Sequence, residues 1–166
     1  MVIRQETISD IMAIHRVVVE AFKKAPHSSH TEHLIVDALR HAGALSISLV
    51  AEEADAILGH VALSPVTISD CTTDWYGLGP ISVLPEVQGE GIGAQLMQAA
   101  MAELNELHAN GCVLLGEPEY YQRFGFQPID GLILPDVPKA YFMAKQLRGE
   151  TPQGTVMYHE AFEVKA

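Results

Sequence analysis

Residues 78–107, LGPISVLPEVQGEGIGAQLMQAAMAELNEL, decide how this chain folds. The apolar run from Gly79 to Leu84 reads as a strand, Pro85 opens a turn, and Gly89, Gly91 and Gly93 space a loop. An amphipathic helix follows. Ile92, Leu96, Ala100, Leu104 and Leu107 recur at helical spacing and so share one face, and Asn110-Gly111 ends the helix because Gly takes a left-handed C′ position without a Cβ clash. A strand that enters a helix through glycines presents unpaired backbone N–H groups at the positive end of the helix dipole. That arrangement binds phosphate without any basic side chain.

The glycine spacing narrows the kind of cradle. A dinucleotide fingerprint needs Gly-x-Gly-x-x-Gly, and a P-loop needs Lys-Ser/Thr after its last glycine, whereas Gly93 is followed by Ala94-Gln95. Gln88-Gly89-Glu90-Gly91-Ile92-Gly93 instead resembles the Gln/Arg-x-x-Gly-x-Gly/Ala motif of the GCN5-related N-acetyltransferases, the GNAT superfamily. The resemblance implies that loop amides hold the pyrophosphate of acetyl-CoA and that the strand Ile81, Ser82, Val83 pairs with its pantetheine arm. The implied cofactor-binding set is Ile81, Ser82, Val83, Gln88, Gly89, Glu90, Gly91, Ile92, Gly93 and Ala94. Glu90 departs from the basic or neutral residue common in this loop; its carboxylate repels a pyrophosphate unless it points to solvent.

A length of 166 residues fits one domain, 1–166, with a single sizeable core, and 48% hydrophobic with 19% charged residues is a globular composition. No apolar run is long enough to span a bilayer, and Met1-Val2-Ile3-Arg4-Gln5-Glu6 lacks the basic start and apolar core of a signal peptide, so a cytoplasmic protein without a membrane partner is expected. The net charge of −11 with ten scattered Lys and Arg argues against nucleic acid as a partner. It favours a cationic acceptor such as an amine, and leaves an anionic cofactor to backbone amides. Cys71 and Cys112 lack metal-site spacing and read as reduced packing residues.

Taken in order, Val2 to Gln5 reads as a first strand, and Thr7 to Asp10 caps a helix running to Phe22 with Ile11, Ile14, Val18 and Phe22 inward. A second helix spans Glu32 to His41, with Ile35 and Leu39 inward. Ser46 to Glu52 and Ile57 to Ile68 form a hairpin around Glu53-Ala54-Asp55-Ala56, with Gly59 and Pro65 marking irregular or edge positions. Trp75 to Leu84 is the fourth strand, Gly111 to Gly116 a buried parallel strand, and Pro118 to Phe124 a helix ended by Gly125. Tyr141 to Leu147 and Thr155 to Val164 supply the last strands. This order matches the GNAT fold: α+β, three layers α/β/α, a mixed and mostly antiparallel sheet, and one splayed parallel pair.

A second signature supports the first. In Tyr120-Tyr121-Gln122-Arg123-Phe124-Gly125-Phe126, Tyr121 lies four residues before the Gly of a Gly-Phe pair. The resemblance gives this residue the role of general acid near the CoA sulfur. A phenol of pKa about 10 can protonate a departing thiolate of pKa about 8.5 without ionising beforehand at neutral pH. Tyr120, about 100° away on a helix, is expected to face elsewhere. The family's oxyanion donor is a main-chain N–H of the fourth strand, by register near Ser82 or Val83. Glu52, Glu53, His60 and Asp74 are candidates for the general base, with none singled out. His27, His30 and His33, with His41 further on, lack the Cys or carboxylates that would complete a metal site, so no metal is expected; they are alternatively residues lining an acceptor pocket.

The function so implied is transfer of an acetyl group from acetyl-CoA to a primary amine of a small molecule or peptide, directly within a ternary complex. Two alternatives stand beside it: a non-catalytic acyl-CoA-binding regulatory module, and an acyltransferase using a longer acyl-CoA. A homodimer is a common assembly in such families.

Overall fold

Two alternating patterns of side chains divide the sheet strands between two helical layers. The computed structural model describes residues 1–165; Ala166, the last residue of the expected domain, lies outside the described residues. Along the chain run β1 (Val2–Gln5), α1 (Ile11–Phe22), α2 (Glu32–His41), β2 (Ile47–Glu53), β3 (Ala56–Pro65), β4 (Thr67–Ile68) and β5 (Trp75–Val83). There follow α3 (Ile92–Glu106), β6 (Gly111–Leu115), α4 (Pro118–Tyr121), β7 (Leu132–Ile133), β8 (Phe142–Gln146) and β9 (Gly154–Met157). The main sheet has the order β1-β2-β3-β5-β6-β8 and is antiparallel except between β5 and β6.

On one face Leu49, Ala51, Val61 and Leu63 pack against Leu96, Met97, Ala100 and Leu104 of α3. On the other, Val50, Ala62 and Leu84 meet Ile14, Val17 and Val18 of α1 and Val36 of α2. Period-two strands between period-3.6 helices thus give the three layers, each fully buried Leu, Ile or Val contributing about 1.5–3 kcal/mol by leaving water. The hairpin between β2 and β3 turns on Ala54 (φ 51°) and Asp55 (φ 63°), two consecutive left-handed residues whose twist suits the flanking strands. Thr7 begins α1's entry turn: its N–H donates to Asp10 Oδ2 at 2.7 Å, and Arg4 holds the same carboxylate at 2.7 and 3.0 Å.

Several expectations need correction. Gly59 is an irregular position rather than an edge one: β3 is interior, paired with β2 and β5, and its register with β2 shifts beside Gly59, where Ala51↔Gly59 is followed by Glu52↔Ile57. Its lack of a side chain admits α3: a Cβ there would lie 3.0 Å from Ser82 O, 3.1 Å from Leu96 Cδ1 and 3.2 Å from Ile92 Cγ2. The expected strand 57–68 breaks after Pro65, and β4 joins β9 and β7 in a second, three-stranded sheet. The expected final strand stops at Met157, because Glu160–Glu163 turn as a 3₁₀ helix that buries Ala161 against Ile35 and Leu39 of α2. α3 ends at Glu106, which leaves Leu107 45% exposed instead of on the inner face. Cys71, expected to pack, is exposed, whereas Cys112 is buried.

Candidate active site

β5 and β6 are paired only at Trp75↔Gly111, Tyr76↔Cys112 and Gly77↔Val113. Past Gly77, β5 runs on to Val83 with no strand on that side among the described residues, and the sheet opens into a gap. Leu84 N–H donates to Leu58 O at 2.9 Å, so by antiparallel alternation the next bonded pair is Ser82 with His60. The amides of Ile81 and Val83 therefore face the gap, and Ser82 turns its own toward β3. Val83 O is already held, accepting from Gln88 Nε2 at 3.0 Å. Of the two residues named for the oxyanion donor, Val83 and not Ser82 turns its N–H to the gap.

At the wide end of the gap lies the glycine loop. Gly89 (φ 84°) and Gly91 (φ 86°) are left-handed, with nothing within 4 Å of a built Cβ at either, so glycine is required by conformation rather than by space. Gly91 is the N-cap of the 15-residue α3, where the first amides are unpaired. A cleft of about 470 Å³ joins loop and gap, lined by Ile81, Val83, Val87, Gln88, Gly89, Gly91, Ile92, Gly93, Ala94, Tyr120, Tyr121 and Arg123. Ser82 is not among its walls; it is 2% exposed and its side chain lies on the α1 face with His60. Glu90 is exposed and also absent from the lining.

Tyr121 closes the inner side. Its ring lies against Gly116, and burial, with Tyr120 adding to it, pushes its hydroxyl pKa up to about 12. The phenol stays protonated at neutral pH. Contrary to expectation Tyr120 shares the cleft: its ring meets that of Tyr121 edge-on at 4.9 Å and 89°, and a Cβ at Gly93 would lie 3.1 Å from its hydroxyl. Both tyrosines lie in the single turn of α4, which a 3₁₀ turn at Gln122–Phe124 and left-handed Gly125 (φ 90°) follow; adjacent large rings on one turn reach the same cleft despite their angular separation. Arg123 lies 5.0 Å over the Tyr120 ring and brings a cation to the cleft mouth.

None of the four candidate bases lines this cleft. Glu52 accepts from Arg4 Nε at 3.1 Å, and Glu53 lies 3.8 Å from the N-terminal ammonium. Asp74 is an exposed turn residue (φ 61°) whose carbonyl accepts from Asn110 N–H at 2.8 Å. His60 is fully buried, its Nε2 2.8 Å from Ser48 Oγ. His27 and His30 are exposed between α1 and α2, while His33 stacks edge-on with His15 at 4.8 Å. Among the described residues no group of three or more His, Cys, Asp or Glu could hold a metal ion. No helix among them is long and apolar enough to cross a membrane. Burial raises the Cys112 thiol pKa far above its ordinary value, which disqualifies it as a nucleophile.

A family model described as "Acetyltransferase (GNAT) domain" matches residues 44–128. The uncharacterised N-acetyltransferase YhbS of Escherichia coli K12 is 34% identical over 110 residues, which span 66% of this chain and 66% of that protein. A solved GNAT family acetyltransferase from Brucella melitensis, in complex with acetyl-CoA, is 47% identical with a TM-score of 0.87, over 97% of both chains. The solved structure of E. coli YhbS in complex with CoA is 30% identical with a TM-score of 0.89, covering 98% of this chain and 92% of that one.

Proposed function

Because this chain belongs to the GNAT family of acetyltransferases, we propose that residues 1–165 act as one acetyl-CoA-dependent N-acetyltransferase domain that transfers the acetyl group directly to a primary amine. The observation that carries the reading is the cleft in which the left-handed glycines 89 and 91, the free amides of Ile81 and Val83, and the protonated Tyr121 converge. The donor set suits CoA: backbone N–H groups at the start of α3 for a pyrophosphate, an unpaired strand edge for an amide-bearing arm, and an apolar floor of Ile81, Val83 and Ile92.

Acetyl-CoA supplies an activated acetyl group. The Val83 N–H, which faces the gap, offsets negative charge developing on its carbonyl oxygen, and Tyr121 donates a proton to the departing sulfur. No nucleophilic side chain is required, which agrees with a buried, protonated Cys112. The net charge of −11 favours a cationic acceptor.

Calorimetric titration with acetyl-CoA tests the reading. Saturable binding by the intact protein, abolished in Gly91→Asp, is expected; an intact protein that binds no acetyl-CoA would overturn it.

A further inference from the structure

The face of the sheet opposite α3 carries buried polar atoms without partners: His60 Nδ1, Ser64 Oγ, Ser82 Oγ and Tyr158 Oη, with Trp75 Nε1 beyond them. Register aligns the first four in a row along the β3–β5 pair. His60 pairs with Ser82, and Ser64 pairs with Gly77, against which the Tyr158 ring lies, a Cβ at Gly77 falling 2.8 Å from its Cε2. Gly77 is also the last β5 residue paired with β6, so Tyr158 stands where the gap perforates the sheet. Buried polar atoms are nearly always hydrogen-bonded, and several orphans on one face mark a place where a polar guest belongs.

The chain behind His60 sets its tautomer. Ser48 Oγ donates to Glu6 Oε1, so it must accept from His60 Nε2–H at 2.8 Å, which leaves the lone pair of Nδ1 facing the row. Glu6 is held by Arg40 at 2.8 and 3.0 Å and borders a polar cleft of about 270 Å³ with Gln5, Arg40, Ser46 and Ser48. Burial disfavours the Glu6 carboxylate, but hydrogen bonds from Arg40 and Ser48 outweigh it and keep the group ionised. The charged groups facing His60 are Glu6 and Arg40; α1 covers this face with Ile14, Val17 and Val18, none of them titratable.

Resting on the acetyltransferase reading above, we propose that this row receives the acceptor amine, with His60 as its proton acceptor and Ser48 and Glu6 as the exit. The ammonium loses one proton to Nδ1; the Nε2 proton passes to Ser48, whose hydroxyl proton passes to the Glu6 carboxylate and on to solvent. The amine lone pair so freed attacks the acetyl carbon presented through the gap; as the carbon–sulfur bond breaks the thiolate takes the Tyr121 proton, and the second proton of the adduct nitrogen restores the Tyr121 phenol, while Ser82 and Tyr158 hydroxyls hold the amine's neighbouring polar atoms.

The test measures thiol release from acetyl-CoA with benzylamine, spermidine and glycyl-lysine as probes. At least one is expected to be acetylated. His60→Gln should lower kcat/KM for it about a hundredfold, and Ser82→Ala and Tyr158→Phe about tenfold each, with the acetyl-CoA Kd within about twofold. In His60→Gln, kcat/KM should also climb about tenfold per pH unit toward the amine's own pKa, where the unaltered protein is flat, a change that a merely structural histidine would not produce. Unchanged kcat/KM in Ser82→Ala and Tyr158→Phe, or no thiol release with any probe while acetyl-CoA binds, overturns the inference and leaves the cofactor reading standing. Failure of the unaltered protein to bind acetyl-CoA overturns both.

Discussion

The ring of Tyr121 occupies the space that a side chain at Gly116 would need: a Cβ there would overlap its Cε2 and come within 2.7 Å of its Cδ2. Gly116 follows β6 and donates its N–H to Tyr141 O at 3.0 Å, a bond that alanine keeps. Gly116→Ala should therefore fold and bind acetyl-CoA, yet lower kcat by about a hundredfold, as expected when a reacting group is displaced by about an ångström. Parallel kcat and calorimetric Kd values check this. An alanine variant with full kcat would show that the ring position does not matter to turnover.

Tyr121→Phe probes the same group chemically. Loss of a general acid lowers kcat by about 10²–10⁴-fold. Because burial lifts the hydroxyl pKa to about 12, the phenol is protonated throughout the working range, and the loss should be equal at every pH between about 6 and 9. A pH–rate profile of both proteins decides: an alkaline limb in this range that vanishes in the phenylalanine variant would contradict a donor that stays protonated.

What was legible in the sequence is what depends on neighbours along the chain. The strand, glycine loop and helix from Gly79 to Glu106, and the register of Tyr121 with Gly125, are local patterns, and they form as expected. Tyr120 lines the cleft although it sits about 100° from Tyr121 on α4, because both rings are large and meet edge-on, so two adjacent positions of one helical turn reach the same cleft, a tertiary fit that spacing does not show. β4 and β7 have two residues each and are tied in place by β9, as in Ile68↔Val156, pairings that no short window contains. Glu6, Ser48 and His60 come from three segments and meet only through the β1–β2 and β2–β3 registers, with α2 adding Arg40. Gly59 does mark an irregularity, the register shift between β2 and β3, but the close approach of the helix above it is a second reason that no short window contains.

Arg123 is the one cation lining the cleft among the described residues, in a chain of net charge −11. Its guanidinium is exposed and positioned by the rings of Tyr120 at 5.0 Å and Phe124 at 5.3 Å. An exposed charge interaction contributes about 0.4–1 kcal/mol at the upper part of its usual span, so Arg123→Ala should weaken acetyl-CoA binding by about two- to fivefold at low salt. At molar salt the two proteins should converge, because screening removes the difference. Calorimetry at both salt concentrations checks it; equal affinities at low salt would show that Arg123 serves only to hold Tyr120.

His60 gives the fold a defined response to acid. Burial, with Arg40 adding to it and Glu6 opposing, lowers its pKa to about 4 from an ordinary value of 6.5. Between those values the unfolded chain binds a proton that the folded chain refuses, so acid favours unfolding. Stability should fall as pH is lowered from about 6.5 toward 4, by on the order of 3 kcal/mol from this group, and His60 adds no further loss below that. Glu6 and Asp10, whose carboxyls arginine partners hold below the usual range, add their own losses only under about pH 4.5, outside most of this window. Urea unfolding at pH 7.5 and 5 should show a clear decrease for the unaltered protein and a much smaller one for His60→Gln. Equal decreases in the two proteins would assign the acid sensitivity to another group.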